Sequence, residues 1–331
     1  MSAATESPRH GAWSPFPRWA TIAILLCLLV GPAGLVLLLN GDEAANQGGL
    51  NQERLRIARL PTGVAVQGQT LWVASGRDDR IVAIDTARPS AAPEPHRSGS
   101  APIRLAVGAG SVFSANAGDG TVTRLYPGIA GRRPENISIG ADAVDVAVGP
   151  DGAWVSNGQQ GTVTRIDAVS NTVLGPPVRT GSFPSALAAD ANFVWVVNSG
   201  DGTVARVDPR ENVIVGRRIP VGRDPQDIAI GFGSVWVANR GEGSVSRLSA
   251  ASGQPDGKPV NVGGSPGALA VTRDAVLTLD TNSGNVTRID PRTGEYHRVL
   301  HVPGFPTSIA VGAGAAWIVD ARSGTVTRLK G

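Results

Sequence analysis

One spacing runs through this chain seven times. From Trp72, steps of 41 residues land on Phe113, Trp154, Trp195, Trp236 and Leu277, and a step of 40 reaches Trp317. Two further columns keep the same interval: Ala65, Ala106, Ala147, Ala188, Ala229, Ala270 and Ala310, and Arg124, Arg165, Arg206, Arg247, Arg288 and Arg328. A repeat of about 40 residues restricts the chain to a propeller or a solenoid.

The content of each repeat separates the two. In the fifth, Asp224 to Gly231, Ser234 to Asn239 and Ser244 to Leu248 are β-rich runs bounded by Gly, Asn and Pro. A weaker fourth run, such as Val213 to Val221, leads into the next repeat. Four short strands in about 41 residues make a propeller blade. No 3.6-residue apolar period appears, which excludes helical repeats. The expected fold is therefore all-β, a seven-bladed β-propeller over residues 52–331. The alanine column belongs on the innermost strand, where converging strands leave little room, and the Trp column on the second. After Arg328 only three residues remain, so the seventh blade lacks its own outer strand. Residues Leu55 to Leu60 are placed to supply it, pairing the chain ends and removing an open edge.

Residues Ala20 to Leu39 carry no charge and are almost wholly apolar, close to the ~20 residues of a membrane helix. The expected organisation is a cytoplasmic tail over 1–18, a single-pass signal-anchor helix over 19–40, a linker over 41–51, and the propeller. A cleaved signal peptide is the alternative, although its apolar core is usually only about 7–15 residues long. Arg9 and Arg18 precede the run and Asp42 and Glu43 follow it. That asymmetry puts the propeller on the extracytoplasmic side of the cell membrane. Cys27 is the only cysteine, so no intrachain disulfide can form.

The formal net charge is +3, with two lysines, Lys258 and Lys330. No Lys/Arg cluster of the kind that binds nucleic acid is present. Arg is followed two residues later by Asp at Arg165/Asp167, Arg206/Asp208 and Arg288/Asp290. Interblade hydrogen bonds and ion pairs explain this column; a ring of anion sites is the alternative reading.

No phosphate loop, dinucleotide fingerprint, zinc pair or nucleophile elbow occurs. No catalytic residue, metal ligand or cofactor is expected. One column ends each second strand: Ser75, Asn116, Asn157, Asn198, Asn239, Asp280 and Asp320. Side-chain bonds to the following turn account for it, each worth about 1 kcal/mol. A second column opens the innermost strands: Gly63, Arg104, Asp145, Ala186, Asp227, Ala268 and Ser308. Unlike the others it is not uniform. Arg104, Asp145 and Asp227, with Asp142 and Asp224 nearby, are the candidate ligand-binding residues at the mouth of the central channel. Solvated rim charge is the competing reading.

Aligned in this way, the chain resembles the YVTN-repeat, YncE-like β-propellers. The motifs are Val221-Gly222-Arg223-Asp224-Pro225, Trp236-Val237-Ala238-Asn239 and Gly161-Thr162-Val163-Thr164-Arg165-Ile166-Asp167. The resemblance spans about residues 52–331 and implies the architecture. It implies little about function, because members of that group have varied roles. The chain is more distantly similar to the streptogramin B lyase propellers, which implies metal-assisted chemistry by His and Glu in blade loops. The sequence departs from that pattern. Its histidines are His10, His96, His297 and His301, the first before the apolar run and the others between third and first strands. The expected function is a membrane-anchored, monomeric binding or scaffolding module with a protein or small-ligand partner at the channel-mouth face. The alternative is a metal-dependent lyase or hydrolase of the streptogramin B lyase type.

Overall fold

The computed structural model describes residues 51–57, 59–140, 142–150 and 152–330. The expected tail, membrane segment and linker lie outside the described residues, except for Asn51. Among the described residues no helix is long and apolar enough to cross a membrane.

The repeats form seven antiparallel sheets, the blades. The innermost strands are Pro61–Gln67, Pro102–Gly108, Ala143–Gly149, Pro184–Ala189, Pro225–Gly231, Pro266–Val271 and Pro306–Gly312. They surround a central channel. The face bearing the loops that enter these strands is termed the upper face.

The ring closes as expected, by a strand from the other end of the chain. Asn51–Arg56 pairs antiparallel with Thr325–Lys330, with Leu55 opposite Val326. The Ile57 amide continues the pairing by donating to the Gly324 carbonyl at 3.0 Å. The strand lies a few residues earlier than Leu55 to Leu60, because Leu60 takes a left-handed conformation (φ 52°) that turns the chain into Pro61. Leu55 and Ile57 are buried with Trp317, Val326, Val64 and Leu71, so the closing strand also seals blade seven against blade one.

The three regular columns of the sequence form one row across each blade. Ala229 stands opposite Trp236, and Trp236 opposite Arg247. The same register holds for Ala147, Trp154 and Arg165. The small alanine leaves room for the indole. Each indole lies between its own blade and the next: Trp154 with Leu187 and Val194, Trp195 with Ile228 and Val235, and Trp317 with Val64 and Leu71. The guanidinium covers the ring from the other side, at 5.2 Å for Arg247 over Trp236 and 4.9 Å for Arg328 over Trp317. From there Arg247 donates to the Pro291 carbonyl of the next blade at 2.7 Å. Arg124 likewise reaches Ala168 and Asn171 of its neighbour. In blade one the row holds Ala83 instead of Arg, and His96 from the outermost strand packs on Trp72 at 5.5 Å.

The column's hydrogen bonds cross between blades as expected, but Arg247 pairs with Asp256 and Arg288 with Asp274 inside their own blades. The Asp two residues after Arg165, Arg206 and Arg288 serves its own loop. Asp167 Oδ1 accepts from the Val169 and Ser170 amides, and Asp208 and Asp290 do the same for their own loops. Four residues after each Asp, a left-handed Asn171, Asn212 or Gly294 completes the turn. The strand-end column divides: Asp280 and Asp320 bond the following turn as expected, accepting from the Asn282 and Ser283 amides and from the Arg322 and Ser323 amides, whereas its Asn members belong to buried networks. Asn116, Asn157, Asn198 and Asn239 are fully buried. Asn239 Nδ2 donates to Ser244 Oγ at 3.1 Å and Ser246 Oγ at 2.8 Å, and its Oδ1 accepts from the Gly222 amide at 3.1 Å. A Cβ on Gly222 would lie 2.6 Å from Asn239, so the Val-Gly glycine and the strand-end Asn fit as a pair.

Candidate functional site

The innermost strands bring Arg104, Asp145 and Asp227 into a single cavity of about 260 Å³ in the channel, with Val146, Leu187 and Ser308 among its walls. The three come from blades two, three and five, so only ring closure assembles them. Asp145 is buried. Its Oδ2 accepts from the Leu187 amide of the next innermost strand at 2.7 Å, and Asp227 Oδ2 accepts from the Leu269 amide in the same way at 2.7 Å. Each Asp therefore links two blades along the channel wall.

After Asp145 the next repeat carries Ala186, and after Asp227 it carries Ala268. Both alanines pack toward the blade beyond, Ala186 with Trp195 and Ile228 and Ala268 with Leu277 and Ile309. The Ser156 hydroxyl, opposite Asp145 in the second strand, accepts from the Asp145 amide at 3.0 Å. The amides of Leu187 and Leu269 were not identifiable as site groups from sequence, because a backbone donor leaves no mark in it.

Burial dominates the electrostatics. It pushes the Asp145 carboxyl from its ordinary 3.8 up to about 7, with Arg104 pulling it back and Asp227 pushing it further. The Asp227 carboxyl is also raised by burial, opposed by Arg104. The site thus holds two carboxylates that are costly to ionise and one arginine that offsets part of that cost. A cationic group entering the cavity would favour the ionised forms of both.

A folded-state pKa above the unfolded value means that Asp145 favours the folded state most fully below about pH 4. That contribution is lost as the pH rises through 7, and amounts to as much as roughly 4 kcal/mol. The expected result is that Asp145→Asn, which keeps an acceptor for Leu187, gains stability relative to the parent between pH 4 and 7.5. Parallel urea denaturation series for parent and variant would show this, and a constant difference across that range would refute it.

Asp142 and Asp224 do not join the channel cluster. Asp142 accepts from the Gln159 amide at 3.1 Å, and burial raises its carboxyl. Asp224 pairs with Arg240 at 2.8 Å and accepts from Gln226 at 2.6 Å. Both precede their innermost strands and tie the entering loop to the turn between second and third strands, which directs them along the upper rim. Among the described residues, no three His, Cys, Asp or Glu side chains are grouped to hold a metal. His96 lies on the outermost strand Glu94–Arg97, and His297 and His301 on the outermost strand Tyr296–His301, away from the channel.

No protein-family model and no curated protein sequence matches the chain. Solved structures resemble it in fold. Virginiamycin B lyase from Staphylococcus aureus superposes with a TM-score of 0.73 at 13% identity, over 85% of this chain and 99% of that one. Hydrazine synthase from Kuenenia stuttgartiensis gives 0.70 at 15% identity, over 89% and 99%. The Cps50 (Swd1) β-propeller domain from Myceliophteria thermophila gives 0.71 at 13% identity, over 84% and 99%. At these identities the likeness establishes the propeller fold.

Proposed function

We propose that this chain is a propeller binding module whose central channel takes a small ligand bearing an amine or guanidinium. The observation that carries the reading is the convergence of Asp145, Asp227 and Arg104 in one channel cavity, where carboxylates withdrawn from water gain from a cationic partner. The Val-Gly-x-x-Pro and Trp-Val-x-Asn motifs support grouping it with the YVTN-repeat propellers. The uncharged apolar run over residues 20–39 supports a single-pass anchor in the cell membrane, with the propeller outside the cytoplasm as a ligand-binding or scaffolding component.

A lyase of the streptogramin B type is the second reading, favoured by the fold similarity. Against it, His96, His297 and His301 all lie on outermost strands, so among the described residues no histidine reaches the channel to move a proton there.

The test is equilibrium binding of agmatine to the full chain in detergent, compared with the Asp145→Asn, Asp227→Asn double variant. The expected result is saturable binding to the parent and none to the variant, with both folded by circular dichroism. Equal binding by both would place the site elsewhere.

A further inference from the structure

The upper rim between blades three and four holds a second cavity, of about 420 Å³. Two guanidinium groups line it, those of Arg179 and Arg218, together with Gln159, Ser182, Phe183 and Asp201. The two arginines come from the outermost strands of blades three and four, Arg179 at a regular strand end and Arg218 at an irregularity. Blade three's outermost strand, Val173–Arg179, ends on Arg179, which stands opposite Thr162. At the corresponding register position, blade one has Arg97, blade two Ser138, blade four Pro220, blade five Asn261, blade six His301 and blade seven Arg56; of the arginines there, Arg179 is the one with a second arginine beside it in a cavity. Blade four's outermost strand is broken into Val213–Ile214 and Ile219–Pro220. The residues between the two pieces leave the ladder, and Arg218 in that stretch extends into the cavity.

The charges there are unbalanced. Arg179 is exposed and makes no ion pair or hydrogen bond through its side chain among the described residues. Arg218 meets Asp201 only at 3.9 Å. That carboxylate is already engaged, accepting from the Ser182 amide at 3.1 Å and from Thr203 Oγ1 at 2.7 Å. Asp142 lies behind Gly158, where the Gln159 amide occupies it. The cavity therefore offers two cationic donors, further donors from the Gln159 side chain and the Ser182 hydroxyl, and one carboxylate turned to other work.

We propose that this interblade cleft binds an oxyanion, a carboxylate or phosphate group of a small ligand, clamped between Arg179 and Arg218. Planar guanidinium groups match both anions through paired N–H donors. The Phe183 ring forms an apolar wall beside the charged group. The site is separate from the channel, prefers the opposite charge, and stands or falls independently of it.

The test is thermal melting of the full chain in detergent, with sodium phosphate and sodium succinate titrated to 20 mM against sodium chloride of equal ionic strength. Parent, Arg218→Gln and the Arg179→Gln, Arg218→Gln double variant are compared. Arg97→Gln, the same strand-end position in blade one, serves as the control. The expected result is a saturable rise in Tm with phosphate or succinate for the parent and the control. The apparent affinity falls at least about tenfold in the double variant and by an intermediate amount in Arg218→Gln. A response to phosphate alone would assign a phosphoryl ligand, and a response to succinate alone a carboxylate ligand. No rise beyond chloride for either anion in the parent, or an equal rise in the double variant, overturns the proposal.

Discussion

A chain lacking residues 51–57 melts about 10 °C or more below the intact chain. The segment supplies a six-residue ladder to Thr325–Lys330 and buries Leu55 and Ile57 in the seam between blades seven and one. Two buried aliphatic side chains contribute roughly 1.5–3 kcal/mol each. The ladder hydrogen bonds add to this, and their loss leaves Thr325–Lys330 as an unpaired edge. A total of about 5–8 kcal/mol translates into a shift of that size for a domain this large. Cooperativity should fall as well, because blades seven and one lose the strand that binds them. A truncated chain that melts within 2 °C of the parent, with an unchanged transition width, would contradict closure by the N-terminal strand.

Trp236→Ala destabilises the propeller by about 3–5 kcal/mol, the usual range for emptying a large aromatic site in a core. Trp236 is fully buried and packs with Leu269, Val276 and Ile289 of the next blade. Its Nε1 donates to the Gly231 carbonyl at 3.3 Å, and Arg247 sits over its ring. The substitution therefore empties one of the interblade seams. Asn239→Ala costs about 2–4 kcal/mol, well above a turn bond, because it strands the Gly222 amide and two serine hydroxyls in a buried setting. Urea denaturation of both variants checks the pair. A cost below 1 kcal/mol for Asn239→Ala would mean that water replaces its three bonds.

The repeat was legible because each of its columns answers to one geometric demand. Ala, Trp and Arg recur since most blades use the same small residue, the same filler and the same cover at the same register, with Phe113, Leu277 and Ala83 as the departures. Seven repeats and a missing last strand were enough to place the closing strand in the N-terminal segment. Its boundary was not legible, because the turn before Pro61 is made by Leu60 in a left-handed conformation, where glycine would have marked it. Ala101, Phe183 and Asp224 take the same conformation at the same point of their blades. In the strand-end column the turn reading holds for Asp280 and Asp320 and fails for the Asn members, because turn chemistry and buried networks use the same residue type. Only the three-dimensional pairing with Gly222 and the third-strand hydroxyls separates them.

For the candidate site, irregularity within a regular column was the useful signal. It singled out Arg104, Asp145 and Asp227, which the fold brings into one cavity from three blades. Proximity in sequence was the poorer guide. Asp142 and Asp224 precede Asp145 and Asp227 by three residues, yet the entering loop turns them to the rim. The cleft with Arg179 and Arg218 left no mark in the repeat, because it depends on where blade four's outermost strand breaks.

The central claim is that the channel carboxylates hold the ligand's cation in their ionised form. The most direct measurement is the dissociation constant of agmatine for the full chain at pH 8 and at pH 5. With Asp145 titrating at about 7, a proton occupies that carboxyl almost completely at pH 5 and must leave before the cation can bind. The expected outcome is binding roughly 100-fold weaker at pH 5 than at pH 8, with the pH dependence much reduced in Asp145→Asn, where only Asp227 is left to titrate. An affinity that does not change between the two pH values, or that changes equally in the variant, would contradict the channel as the binding site.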